Sequence, residues 1–560
     1  MNLHSFSKKE YLVLGGAVLL LLPALILNLQ LVPLYGEEPR RAVVAMEMLF
    51  RHNWIVPTVN GEIYQLKPPF FNWILASLYN MTGANSEFIT RLPSVISLLL
   101  LGLIIYYIGK AHVSKTFGAL SSILFMVAAG NLFFNSLLAE IDLFYSLVTY
   151  TGLVCLFHFH SRRKYYLLFL SVYLLGAIGV LTKGAPSLVY TGLSILVFFL
   201  VKREFLKLFS LPHLTGIILF LVTVGSYFYA YHQQGDVVQF LRNLTFESGK
   251  RFSGDTIWDY LIQLAWFPVD TLLNLLPASL LIIFAVRKSF MAVIRSNPLV
   301  KFSLLMILVH FPVYWLPPDS RQRYIIMLYP FMIQVLVFFY LNFLKAEPKK
   351  NNVLNNILSA AIGIMTLGVL IPLFQDNMKF ISGLPWICGI SSLGLAGLLV
   401  ITLKNRNLAL ITMIFALLVT RIYFDLVVMP VRATEGKSYA NKTRAMDLLK
   451  IVKDDPVCVF RTTYFPMQCT YYMEKERQEI IPVCQHVRPG AYHIVQIGLL
   501  EHYKYCREIG EMTDNPMKPV SDPFSVDNED IFSGYDFKII HEFYLQKKKY
   551  LLLIPVNSYR

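Results

Sequence analysis

The sequence predicts a polytopic α-helical membrane protein with a small soluble α/β domain at its C-terminal end. Of the 560 residues, 56% are hydrophobic and only 15% are charged, and the mean hydropathy is +0.53. A soluble chain of this length carries far more charge. Apolar stretches long enough to cross a bilayer recur up to residue 430, whereas the remainder is polar. The bilayer is therefore the main solvent of the first part.

The apolar stretches predict about thirteen transmembrane helices of roughly 20 residues each. They lie at residues 11–33, 94–112, 118–134, 143–160, 165–181, 185–201, 212–231, 266–286, 299–316, 324–344, 354–374, 383–403 and 408–428. The first follows Lys8 and Lys9, and its length favours an uncleaved helix over a signal peptide. Basic residues cluster in alternate loops, as at 162–164, so the N-terminus is expected in the cytoplasm. An odd number of spans then places the C-terminal domain outside.

The formal net charge of +15 is explained by these cytoplasmic loops, so no nucleic-acid partner is predicted. The sequence contains no phosphate-binding loop of the Walker or GxGxxG type, which argues against an ATP-driven pump. The energy for any reaction would have to come with the substrate. No definite cofactor is predicted, and a divalent metal is an alternative that the sequence does not support.

The predicted organisation is a transmembrane domain over residues 1–430, with a long first outer loop at 34–93, followed by an exterior domain over residues 431–560. Alternating apolar residues near 492–499, 537–544 and 550–556 predict strands in the exterior domain. Four of the six cysteines lie there: Cys458, Cys469, Cys484 and Cys506. An oxidising exterior would permit two disulfides in three pairings, and four buried thiols are the open alternative.

Polar residues in the predicted outer loops are the candidates for function. They are Glu37, Glu38, Arg40 and Lys67 in the first loop, and Asp142, Lys183, Arg321, Arg323 and Tyr324 in later loops. Each has a structural explanation. The acids could favour or cap helix N-termini, the lysines could reach a carbonyl end or the headgroups, and the arginines could bind lipid phosphate.

Together these residues have the composition of a site for glycosyl transfer from a lipid phosphate. Such a reaction needs a carboxylate to take the proton of the attacking hydroxyl, and cations to stabilise charge on the departing phosphate. Arginine suits the second task through its bidentate fork, whereas lysine acts as a point charge. Because Glu37 and Glu38 are adjacent on a helix, we expect only one of them to reach the reacting atoms.

Residues 37–47, 54–61, 67–69 and 91–93 resemble, in order and spacing, the first outer loop of the aminoarabinose transferase and protein mannosyltransferase superfamily. Asp142, residues 182–184 and residues 323–324 are similar to later landmarks of that superfamily. The resemblance covers the membrane part and implies a GT-C membrane fold that uses polyprenyl-phosphate sugars. The soluble tail matches only in position.

The resemblance also implies residue roles. Glu37 stands at the place of the catalytic aspartate, Asp142 matches a second functional acid, and Lys67 would hold the donor phosphate. The Asp-to-Glu departure at Glu37 lengthens the acid by one methylene, which puts the geometry of the base in question. Leu66 stands where several relatives have a glutamate, and this weakens the case for a metal. No metal site is predicted.

The sequence thus predicts a glycosyltransferase that moves a sugar, with inversion at the anomeric carbon, from a polyprenyl-phosphate donor such as an undecaprenyl-phosphate sugar. The acceptor would be a lipid A-like glycolipid or another lipid or protein at the outer face of a bacterial inner membrane, so that the site faces the periplasm. Glu37 is the expected base, and Asp142 would position the acceptor or neighbouring cations. The phosphate would be held by Arg40, Lys67, Lys183, Arg321 and Arg323, with Tyr324 beside them.

Two alternatives remain at this stage. Protein O-glycosylation of the protein mannosyltransferase kind uses the same donor chemistry with a different acceptor. A secondary transporter or lipid flippase would also place charges among many spans, but it predicts ionisable residues near the bilayer midplane and inverted repeats. Here the charges lie at predicted helix ends on one side, and no internal repeat is visible.

Overall fold

The computed structural model describes residues 5–249, 256–461, 463–496, 535–545 and 548–558. Its helices, in chain order, are α1 Lys8–Ile26, α2 Glu38–Phe50, α3 Phe70–Thr82, α4 Glu87–His112, α5 Lys115–Met126, α6 Ala129–Phe133, α7 Ile141–Ser161, α8 Tyr165–Lys183, α9 Ala185–Val201, α10 Leu211–His232, α11 Val237–Gly249, α12 Ile257–Asn274, α13 Ile282–Ala285, α14 Phe290–Arg295, α15 Pro298–Trp315, α16 Tyr329–Phe343, α17 Pro348–Gly368, α18 Leu384–Lys404, α19 Ala409–Thr434, α20 Lys437–Val452 and α21 Met467–Arg477. Its strands are β1 Thr58–Val59, β2 Glu62–Ile63, β3 Val457–Phe460, β4 Val483–Cys484, β5 Tyr492–Gln496, β6 Tyr535–Leu545 and β7 Lys548–Ser558.

The helices confirm a polytopic membrane protein, but not the predicted total of thirteen spans. Ten helices in the described ranges are long and apolar enough to cross a membrane, or up to twelve if each of two bent pairs is one span. The bent pairs are 115–137, with an angle of 42°, and 257–285, with an angle of 104°. The predicted span at 185–201 is a shorter apolar helix. The difference arises because hydropathy reports apolar composition, not the continuity of a helix axis.

The chain divides into two compact units. The helical unit comprises residues 1–32, 65–74 and 86–432, and the mixed unit comprises residues 33–64, 75–85 and 433–560. All ten spanning helices lie mainly in the helical unit. The mixed unit therefore combines most of the segment after α1 with the polar tail.

In the helical unit, α7 packs between α4 and α8, and α8 in turn packs against α10. The α4–α5 contact depends on Gly118, since a Cβ atom there would collide with the carbonyl of Tyr106. A fully buried ion pair, Arg421–Asp425, lies within α19, and Arg421 also donates a hydrogen bond to the carbonyl of Leu132. A charge inside the bilayer needs such partners, so this pair fastens α19 to the segment that follows α5.

In the mixed unit, five strands form a sheet in the order β4-β3-β5-β7-β6. Strand β3 runs parallel to β4 and β5, whereas β7 runs antiparallel to β5 and β6. With α20 and α21, this sheet confirms the predicted α/β region, although residues 497–499 of the predicted strand lie outside the described ranges. A disulfide joins Cys458 to Cys484, Cys469 is a buried thiol, and Cys506 lies outside the described residues.

Candidate functional site

Asp142 and Lys183 form a buried ion pair in the helical unit. Asp142 lies in the first turn of α7 and Lys183 ends α8, so the packing of these two helices brings the side chains together. The Nζ atom of Lys183 donates to Oδ1 of Asp142 at 2.6 Å. The chain can leave α8 beside this contact because Gly184 adopts a φ of 78°, which favours glycine. Asp142 is therefore ion-paired in the first turn rather than serving as the N-cap.

Arg323 adds a second ion pair to this cluster. Its Nη1 atom donates to Oε1 of Glu140 at 2.6 Å, and its Nε atom lies 3.8 Å from Oδ2 of Asp142. The arginine belongs to the 3₁₀ segment Gln322–Leu328, which packs against α7. Ser94 on α4 donates to the carbonyl of Glu140 at 3.4 Å. Three separate regions of the chain thus converge on the start of α7.

Aromatic rings flank the two cations. Lys183 Nζ lies 4.6 Å from the ring centroid of Tyr145 and 4.9 Å from that of Tyr324. The guanidinium of Arg323 is 5.7 Å from the ring of Tyr324. Rings at these distances attract a cation and limit its side-chain freedom. Tyr324 therefore contacts both members of the cationic pair.

The formal charges of this four-residue ion cluster, Glu140, Asp142, Lys183 and Arg323, cancel. The Lys183–Asp142 pair is almost inaccessible, whereas the side chains of Arg323 and Glu140 are 19% and 12% exposed. A phosphate could therefore reach Arg323 first, exchanging one carboxylate partner for another anion. The buried carboxylates hold the cations in place beforehand, and such preorganisation favours binding of developing negative charge.

The segment that carries Lys67 lies beside the start of α7. Phe70 stacks on Phe144, with ring centroids 5.9 Å apart, and Phe144 is two residues after Asp142. On the other side, Gln65 Nε2 donates to the hydroxyl of Tyr231 at 3.0 Å, and Asn243 Nδ2 donates to Gln65 Oε1 at 2.8 Å. Lys67 itself is partly exposed.

The predicted residues Arg321 and Arg91 have different surroundings in the structure. Arg321 is exposed at the edge of the 3₁₀ segment and is not part of the buried ion cluster. Arg91, from the resemblance motif, is buried and donates to the carbonyls of Leu29 and Val32 at 2.7 and 2.9 Å. It therefore anchors the turn that follows α1, which leads into the segment of Glu37.

In the mixed unit, Glu37 and Glu38 have different surroundings. Glu37 precedes α2, is about one-third exposed, and accepts a hydrogen bond from Arg40 Nη1 at 2.6 Å. Glu38 is fully buried, and its Oε2 accepts from the backbone N–H of Tyr35 at 2.9 Å. Glu38 therefore stabilises the turn before α2, which matches the structural explanation for an acid at this position. Glu37 is the acid left accessible to a substrate.

Glu140 and Tyr145 also belong to this cluster, although neither is among the site residues predicted from the sequence. Both contact the cations of the cluster. Glu140 was detectable in principle, because it lies two residues before Asp142 at the start of a predicted span. Tyr145 offered no signal, since aromatic residues are common throughout these helices.

One group in the described residues has metal-ligand spacing, namely Cys458, Cys484 and His493. The two cysteines are joined in a disulfide, so their sulfurs do not offer thiolate ligands. In the ion cluster of the helical unit, the carboxylates of Glu140 and Asp142 are engaged by Arg323 and Lys183. These carboxylates therefore bind cationic side chains.

The sequence is similar to one protein-family model and to a bacterial protein. Residues 66–228 match the family model for dolichyl-phosphate-mannose-protein mannosyltransferases. A protein of Aquifex aeolicus (strain VF5) is 25% identical over 285 residues, which are 49% of this chain and 54% of that protein. The chain thus spans about half the length of the curated relative it matches.

The fold is similar to that of ArnT from Cupriavidus metallidurans. The crystal structure bound to undecaprenyl phosphate superposes with a TM-score of 0.66 and 14% identity, covering 98% of both chains. The apo structure gives a TM-score of 0.65 and 15% identity, covering 96% of this chain and 98% of that one. Together with the family match over residues 66–228, this shared fold confirms the resemblance to GT-C membrane glycosyltransferases that the sequence showed.

Proposed function

We propose that this GT-C protein transfers a sugar from a polyprenyl-phosphate donor to a lipid acceptor at the outer face of the membrane. The observation that carries the proposal is the ion cluster in which Arg323 and Lys183 are held by Glu140 and Asp142 at the start of α7. Two similarities support the donor class. The ArnT structure was solved with undecaprenyl phosphate, and the matched family is named for dolichyl-phosphate-mannose. Both lipids carry a phosphate on a polyprenyl chain, and the second also carries a sugar.

The proposed reaction is a single displacement with inversion. An acceptor hydroxyl attacks the anomeric carbon, the bond from that carbon to the phosphate oxygen breaks, and its electron pair leaves with the polyprenyl phosphate. The hydroxyl proton passes to the carboxylate of Glu37. Arg323, Lys183 and Lys67 stabilise the negative charge that grows on the leaving phosphate.

The remaining candidates have smaller roles in this proposal. Arg40 is ion-paired with Glu37 and orients the base. Tyr324 contacts both Lys183 and Arg323, so we assign it to positioning these cations. Arg321 is exposed and is assigned to the first attraction of the anionic donor. Asp142 positions Lys183 and, through it, the phosphate.

Protein O-glycosylation is the second candidate, and the name of the matched family favours it. The donor chemistry is the same, so only the acceptor separates the two functions. We further propose a bacterial inner membrane as the location, with the site open to the periplasm. This follows from the distribution of basic loops and agrees with a polyprenyl donor that approaches from lipid.

The acceptor can be identified in a deletion strain that is complemented with the wild-type chain, with Glu37→Gln or with the exposed control Glu62→Gln. Mass spectrometry of extracted lipids and of membrane proteins compares the deletion strain with the three complemented strains. Loss of a sugar from a glycolipid, restored by the wild type and by Glu62→Gln but not by Glu37→Gln, supports the proposal. Loss of a sugar from proteins instead favours the second candidate. Unchanged glycosylation of both classes contradicts the proposed function.

A further inference from the structure

Two buried carboxyl groups meet inside the mixed unit. Glu47 lies on α2, in the segment after α1, and Glu474 lies on α21, near the other end of the chain. Both residues are fully buried. The proposed reaction uses neither of them, so their burial needs another explanation.

Each carboxyl group has one satisfied oxygen. Oε2 of Glu47 accepts from the backbone N–H of Gly61 at 3.1 Å, and Oε1 of Glu474 accepts from the backbone N–H of Ile481 at 3.0 Å. The other oxygens, Oε1 of Glu47 and Oε2 of Glu474, are buried and receive no hydrogen bond from the described residues. The two side chains are nevertheless within hydrogen-bonding reach of each other. Ionised carboxylates are acceptors only, so this contact is satisfied only when a proton lies between them.

Neither carboxyl group forms an ion pair within the described part of the chain, and the charged residues on the surrounding elements have other described contacts. Their described contacts are as follows: Glu38 accepts from Tyr35 N, Arg41 donates to the Tyr64 hydroxyl, Arg51 donates to Gly61 O, Lys442 lies over Tyr472, Lys475 lies over Tyr471, Arg477 donates to Glu479, and Glu62 is exposed. Arg51 contacts the hairpin through the carbonyl of Gly61, at 3.0 Å.

Burial raises the pKa of Glu474 well above its ordinary value, and the neighbouring carboxyl of Glu47 raises it further. Burial also raises the pKa of Glu47, although hydrogen bonds from Thr58 and Gly61 oppose the increase. The pair therefore retains a proton at a pH where exposed carboxyl groups have lost theirs.

We propose that Glu47 and Glu474 form a proton-binding site, in which one shared proton holds the β1–β2 hairpin against the segment after α21. The surrounding contacts define what the proton holds. Asn60 Nδ2 donates to the carbonyl of Ile481 at 2.8 Å, and Val483 N donates to the carbonyl of Asn60 at 2.9 Å. Loss of the proton would place two negative charges in this buried contact and loosen it.

The direction of the pH effect follows from linkage. The folded pKa lies above the ordinary value of 4.5, so the stabilisation is complete below that pH and is lost as the pH rises through the folded pKa. Within this window, one bound proton changes the equilibrium between the closed and open hairpin by about tenfold per pH unit. The mixed unit is therefore tightened by acid and loosened by base.

Hydrogen exchange on the full-length protein in detergent micelles tests the site. Peptides that contain residues 58–63 and 481–484 are followed between about pH 5 and pH 9, and their rates are corrected for intrinsic base catalysis. We expect protection in the wild type to fall as the pH rises. In Glu474→Gln the amide donates to the Glu47 carboxylate without a shared proton, so most of this pH dependence should disappear. Glu62 is an exposed residue of the same hairpin, so Glu62→Gln is the matched control and should show the pH dependence of the wild type.

Protection that does not vary with pH in the wild type would overturn the proposal, as would an unchanged pH dependence in Glu474→Gln. Glu47→Gln gives the reciprocal test if the first variant does not fold, and the wild-type profile alone decides if neither folds. Mg²⁺ or Ca²⁺ is added at the alkaline end as a second probe. Protection by the metal in the wild type, but not in Glu474→Gln, would show that the site binds a metal cation rather than a proton.

Discussion

The Nζ atom of Lys183 lies 2.6 Å from Oδ1 of Asp142, although the two residues are separated by 41 positions. Their side chains are only 3% and 5% exposed. A buried ion pair at this distance is maintained only when each charge keeps its partner, because an isolated buried charge is strongly unfavourable. The pair therefore joins α7 to α8 and, through Asp142, orients Arg323.

Replacing one member of this pair should destabilise the protein more than replacing both. We expect Lys183→Met to lower the free energy of unfolding by about 3–5 kcal/mol, since the Asp142 carboxylate is left buried without its cation. The double variant Lys183→Met/Asp142→Leu should recover much of the loss. Denaturation of the purified protein in detergent measures both effects. Lys379→Met, which removes an exposed pair with Asp376, is the control and should change stability by less than about 0.5 kcal/mol. Additive losses in the double variant would contradict the coupling.

Arg323→Lys tests the fork geometry of the guanidinium. Lysine keeps the charge but cannot reach Glu140 and Asp142 together, as Arg323 does. A charged hydrogen bond is worth about 1.5–3 kcal/mol, so we expect a roughly ten- to hundredfold loss in kcat/KM for the polyprenyl-phosphate donor. The exposed Arg295 provides a matched Arg→Lys control that should leave kinetics unchanged. Normal kinetics in a folded Arg323→Lys variant would remove this residue from the donor site.

Glu37 is tested by two replacements with different consequences. Glu37→Gln keeps the size and removes the base, so turnover should fall by about a hundredfold or more. The ion pair with Arg40 is one-third exposed, and its loss should lower stability by less than about 1 kcal/mol. A loss of turnover in a normally stable protein would therefore reflect chemistry. Glu37→Asp restores the acid with one methylene less and should retain part of the activity. Near-normal turnover of Glu37→Gln would contradict the assignment as base.

The predicted orientation can be tested with single introduced cysteines. Glu62→Cys and Glu435→Cys lie at exposed positions of the mixed unit and should react with a membrane-impermeant thiol reagent in intact spheroplasts. Arg163→Cys, at an exposed position of a predicted cytoplasmic loop, should react only after permeabilisation. The unsubstituted chain measures background labelling. Labelling of Arg163→Cys before permeabilisation would reverse the orientation.

The membrane class and the positions of the apolar helices were predictable because the thickness of a bilayer sets a minimum apolar length. Each of the thirteen predicted stretches contains a helix in the described residues, and the tail contains the expected sheet. The number of spans was less predictable. Residues 257–285 satisfy the same length criterion, yet they bend by 104° after Asn274. Composition averaged over a window does not record where a helix axis turns.

The sequence by itself determined the types of residue at the candidate site, since Asp142, Lys183 and Arg323 were recognisable as charges at the ends of spans. The tertiary structure decided their partners. Arg323 pairs with Glu140 across 183 positions, and Glu47 meets Glu474 from the other end of the chain. Hydropathy and local motifs depend on neighbours within a few turns, whereas an ion pair or a shared proton depends on which distant helices pack together. Helix packing therefore decides whether a charged residue is bound by another side chain or remains available to a substrate.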